Sequence, residues 1–148
     1  MLRRVVKAAV MVCAVTAGTP AFAHHSQVMF DSKQCLQMEG TVRNWEFGFP
    51  HSWLWIIATG GQGTQSAQGA QDIWGFEAAS PAQMIEVEKR WSRDVFKKGD
   101  KITVRYSPLK DGRHGGQLNA VVLTDGQLLR AATPACDNGT LTPGQTAK

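Results

Sequence analysis

The chain has few cysteines, little net charge once its first residues are set aside, and no long apolar run in its body. Three cysteines occur in 148 residues, and Cys13 stands within the first twenty. The other two, Cys35 and Cys136, are far apart with no C-x-x-C between them, which favours a structural bond over a thiol pair for metal or redox work. Past the leader, nothing approaches the roughly 20 apolar residues of a membrane-crossing helix. There is no Ser-His-Asp arrangement, no phosphate loop and no H-E-x-x-H, so hydrolase and transferase chemistry has no motif to rest on. The formal charge is +4, from 16 basic and 12 acidic residues. Arg3, Arg4 and Lys7 belong to the leader, so the remainder carries 13 basic against 12 acidic residues, or +1. No basic stripe runs along the chain, and nucleic acid is not expected as a partner.

What is present begins with an export signal. Three cations precede "AAVMVCAVTAG", an apolar stretch too short to span a bilayer; Pro20 breaks it, and Ala21 and Ala23 fit a signal-peptidase site. Residues 1–23 are thus read as a cleaved signal peptide. Removing 23 residues from 148 leaves 125, enough for one domain over 24–132 with its own core. A polar tail follows over 133–148. Export predicts a periplasmic or secreted protein. With an even count of remaining cysteines it also predicts a Cys35–Cys136 disulfide, tying the start of the first strand to the tail.

Between these ends the pattern is mostly β. Strands are expected over 36–47, with a bend or bulge at Gly40, then over 52–59, 72–78, 100–107 and 116–126, with "QLLRA" extending past an Asp125-Gly126 turn. "SWLWIIAT" is apolar on both faces and reads as a strand covered on both sides. "GGQGTQSAQGAQ" (60–71) reads as a loop. Ser80-Pro81-Ala82-Gln83 has the form of a capping box with proline at the first helical position, and Met84, Val87, Glu88 and Trp91 would share one face of that helix. Three strands, one helix and two strands give the fold class: mainly β, a small OB-like barrel of five to six strands with one helix between strands three and four. A plain β-sandwich is the alternative.

The "A-H-H-S" at 23–26, "P-H-S-W" at 50–53, "E-A-A-S-P" at 77–81 and "W-S-R-D" followed by "K-G-D" at 98–100 resemble a family of small secreted bacterial proteins of unknown function. The resemblance covers about residues 23 to 128. It departs at Phe49, where the pattern has Asn before Pro50-His51, and at Arg90, where it often has Gly before Trp91. It implies a secreted small barrel and carries no activity.

Chemistry enters with the histidines, of which there are four. Two of them, His24 and His25, would open the mature chain, an arrangement expected by chance on the order of once in a thousand chains. At a new terminus His24 offers an α-amine and an imidazole, which close a chelate ring on one ion. Both lose their protons readily near neutral pH. A third nitrogen from His51 or His114 would complete a brace of the kind that favours Cu(II), with His25 as an alternative donor. Met29 and Met38 could add a thioether. Copper is therefore the expected cofactor, and the expected function is an exported small binding protein rather than an enzyme. The alternative is a metal-free module binding a ligand or partner through Trp45, Phe49 and Trp53. Trp55, Trp74 and Trp91 are expected to be mostly buried. Glu46 and Glu77 could face each other as a carboxylate pair, but no pocket or spacing supports a hydrolytic reading.

Overall fold

The computed structural model describes residues 27–59 and 72–132. The segment read as a signal peptide, His24 and His25, the glutamine- and glycine-rich stretch 60–71, and the tail with Cys136 lie outside the described residues. A 3-10 turn at Gln27–Met29 precedes β1 (Leu36–Glu46), β2 (Trp53–Ala58), β3 (Ile73–Glu77), α1 (Pro81–Val87), β4 (Lys101–Pro108), β5 (Gly115–Val122) and β6 (Leu128–Arg130). The sheet order is β3-β2-β1-β4-β5-β6 with antiparallel neighbours. β3 also pairs in parallel with β5, from Gly75↔Gly115 to Glu77↔Gln117, and this seam closes five strands into a barrel. β6 extends the sheet beyond β5. This is the OB-type arrangement that the strand order predicts, with α1 between strands three and four.

Alternation of apolar and polar residues produces the barrel interior. Along β4, Ile102, Val104 and Tyr106 are buried, while Thr103 and Arg105 are half-buried on the other face. They meet Val42, Leu54, Ile56, Phe76, Met84, Leu118 and Leu129 in one core. Each large side chain sealed there contributes about 1.5–3 kcal/mol of apolar transfer energy.

Two local expectations change. Gly40 is not the bulge: it keeps register with Ala58 and Ile102, and the β1–β2 irregularity falls between Val42 and Asn44. Glycine suits position 40 because a Cβ would stand 2.9 Å from the Ile57 carbonyl oxygen. Nor is β2 covered on both faces. Leu54 and Ile56 point inward and are sealed, whereas Trp53, Trp55 and Ile57 are only half-buried on the outer face.

The helix is built as its sequence dictates at the start. Ser80 Oγ accepts from the Gln83 backbone amide and Gln83 Oε1 accepts from the Ser80 amide, so the capping box is complete. It ends early, at Val87, which is 52% exposed rather than part of the buried face. Met84 is buried, and Trp91 reaches the core from the following loop, its Nε1 donating to the Arg130 carbonyl at 2.8 Å. Arg90 donates to the Leu128 carbonyl at 2.7 Å and to Gln127 at 2.6 Å, fastening that loop to β6. Its guanidinium also holds the Glu88 carboxyl below the usual carboxylate range.

Candidate functional site

The outer face of β2 and β3, between the β1–β2 and β4–β5 loops, is where OB barrels take their ligands. Here it carries a cavity of about 300 Å³. β2 contributes Trp53 and Trp55, β3 contributes Gly75 and Glu77, and the β4–β5 loop contributes Leu109, Arg113 and His114. Met29 and Phe30, at the start of the described chain, form another part of the wall.

Period-2 alternation puts Trp53 and Trp55 on one face, and their rings stack at 5.7 Å and 17°. Gly75 has no side chain to obstruct them: a Cβ there would meet the Trp55 ring at 2.5 Å. The segment carrying Met29 is pinned beside the β4–β5 loop. Phe30 bridges Leu109, the Asp31 amide donates to the Pro108 carbonyl at 2.8 Å, and the Lys110 amide donates to the Met29 carbonyl at 3.0 Å.

Two histidines meet this region, each with a carboxylate at Nδ1. His114 Nδ1 lies 2.7 Å from Asp72 Oδ1, and the other Asp72 oxygen accepts from Trp74 Nε1 at 3.0 Å. The His114 ring stacks on Trp74 at 4.7 Å and 2°. Its position is thus set from two sides while the side chain stays 43% exposed; Asp72 is 7% exposed. A carboxylate that accepts from Nδ1–H selects the tautomer whose Nε2 keeps a lone pair for a metal ion. His51, in the loop after the cis Phe49-Pro50 bond, contacts Glu77 Oε1 through Nδ1. Glu77 lines the cavity, whereas His51 touches that carboxylate without being part of the wall. Exposed Asp111 and Arg113 pair at 2.7 Å at the tip of the β4–β5 loop, and the Arg113 amide and guanidinium hold the Asp111 carboxyl below its usual range.

His114 and Trp53 therefore line one cavity, His51 is joined to it only through Glu77, and Trp45 is elsewhere. Its indole packs with Phe47, Trp91 and Phe96, and its Nε1 donates to the Ser92 carbonyl at 2.9 Å. Phe49 is 76% exposed on the β1–β2 loop. Glu46 and Glu77 do not face each other, because both are register partners of Trp53 on opposite sides of β2. Met38 is sealed in the core and Met29 is at the cavity. Trp91 is buried, Trp74 is partly buried and packs against the core beside Phe76 and Tyr106, and Trp55 is partly buried on the outer face. Asp72 carried no sequence signal beyond its spacing of two from Trp74. Among the described residues, no three His, Cys, Asp or Glu side chains gather closely enough to hold a metal ion by themselves. No described helix is long and apolar enough to cross a membrane.

A family model described as a family of unknown function (DUF6152) matches residues 11–119, well over half of the chain. The chain belongs to this family. The resemblance read from the sequence, to a family without an assigned activity, agrees with this match. No curated protein and no solved structure matches the chain.

Proposed function

We propose that this is an exported small binding protein that holds copper at the β2–β3 face, between the mature N-terminal His24 and His114. The carrying observation is that Met29, five residues after His24, lines the same cavity as an imidazole whose Nδ1 is already engaged by a carboxylate. Five residues of extended chain reach about 17 Å, ample for the terminal amine and imidazole to meet His114. His51, steadied by Glu77, and His25 are the reserve nitrogen donors. The export signal and the predicted Cys35–Cys136 bond fit a periplasmic or secreted setting.

The test is a Cu(II) titration of the chain starting at His24, against the same chain with three alanines added before it, so that neither histidine falls at the second or third position, where amine, backbone amides and imidazole would chelate Cu(II) anew. The extension removes the six-membered chelate of amine and imidazole, so affinity is expected to fall at least about tenfold. Equal affinities would remove the brace. The stacked Trp53 and Trp55 favour a second reading, a metal-free site for a flat or apolar small ligand. Under it, ligand binding would survive both the extension and the loss of His114.

A further inference from the structure

Three methionines remain beyond the signal segment, and only one is placed to act. Met38 and Met84 are sealed in the barrel. Met29 is 36% exposed and lines the cavity, together with His114 and the paired Trp53 and Trp55. Its backbone is held by the Lys110 amide, and the Lys110 ammonium donates to the Val28 carbonyl at 2.7 Å. The thioether is therefore carried by a segment fastened to the loop that bears His114.

We propose that this cavity also binds cuprous copper, through the Met29 thioether and the His114 imidazole, beside the Trp53 and Trp55 rings. A soft sulfur joined to an imidazole selects Cu(I) over harder ions. An indole face adds attraction for a cation and keeps water off it. The charged groups on this wall are Glu77, in contact with His51, and Arg113, paired with Asp111. The ion enters as Cu(I) and leaves as Cu(I), so no electron donor is needed. The inference rests on the copper reading above but needs neither the terminal amine nor His24.

That difference makes the two separable. The mature chain would be titrated anaerobically with Cu(I) against a coloured Cu(I) chelator, and aerobically with Cu(II), in three forms: unaltered, Met29→Leu and alanine-extended. Met29→Leu keeps the size and apolar character of a partly exposed side chain, and a thermal melt checks that the variant is folded. Cu(I) affinity should fall by about tenfold or more in Met29→Leu, with Cu(II) affinity nearly unchanged. The alanine-extended chain should do the reverse. X-ray absorption of the Cu(I) form should show a sulfur neighbour that Met29→Leu lacks. Undiminished Cu(I) affinity in Met29→Leu, or a shell of nitrogen and oxygen only, would overturn the proposal. If the extension left Cu(II) binding intact while Met29→Leu lost Cu(I), the brace would fall and the cuprous site would stand.

Discussion

Replacing Asp72 by asparagine asks whether a carboxylate really governs His114. Both oxygens of Asp72 are in use, Oδ2 by Trp74 Nε1 at 3.0 Å and Oδ1 by His114 Nδ1 at 2.7 Å. Asparagine has the same shape but one acceptor and one NH₂ donor. If its oxygen keeps Trp74, its NH₂ points at His114 Nδ1, which must then become an acceptor. The ring proton moves to Nε2, the position proposed for the metal. A hydrogen bond to a charged group is worth about 1.5–3 kcal/mol when buried. His114 is nearly half exposed, so the stability loss should be near ~1 kcal/mol, or roughly 3–5 °C in Tm for a domain of this size. The loss in copper affinity should be larger in proportion, about 10- to 100-fold, the usual cost of removing the partner that orients a ligating histidine. Calorimetric titration with Cu(II) and a thermal melt give both numbers from one preparation. If Asp72→Asn bound copper like the parent while His114→Ala did not, the orienting role would be wrong. If both bound like the parent, His114 would not be a ligand.

Two further outcomes follow from the fold. Cys35 is buried just before β1, and its proposed bond to Cys136 closes a loop of about 100 residues, worth at most ~4–5 kcal/mol in the chain-entropy model. Intact mass under non-reducing conditions should be lower by two hydrogens, and reduction should lower Tm; a mass showing two free thiols would exclude the bond. Tyr106, the only tyrosine, has its hydroxyl pushed up to about 12 by burial. Above its ordinary value near 10 the unfolded chain gives up this proton while the folded one keeps it, so stability should decline as pH rises from about 10 toward 12. Tyrosinate absorbance should then rise together with unfolding, and an ordinary titration near 10 in the folded protein would contradict this.

The barrel was readable because each cue was local. Alternation along Ile102, Val104 and Tyr106 set one face of β4, and Ser80-Pro81 with Gln83 set the helix start. The order of strands and helix then left few topologies. The helix end was not readable, since Val87 fits the apolar period and only tertiary packing decides that the chain unwinds there. Trp53 and Trp55 were legible as one face of a strand, but sequence cannot tell a core face from a ligand face when both are apolar. Asp72 was invisible for a different reason: its two partners, Trp74 and His114, lie two and 42 residues away, and only the parallel β3–β5 seam brings them together. Gly75 tells the same story, meaningful only once the Trp55 ring lies across it.

The most direct measurement is the EPR spectrum of one equivalent of Cu(II) on the protein whose first residue has been verified as His24, taken before and after His114→Ala. A shared site predicts coupling to the terminal amine and two imidazole nitrogens, with one imidazole lost in the variant. An identical spectrum from both proteins, or one unchanged when the chain begins at another residue, would contradict it.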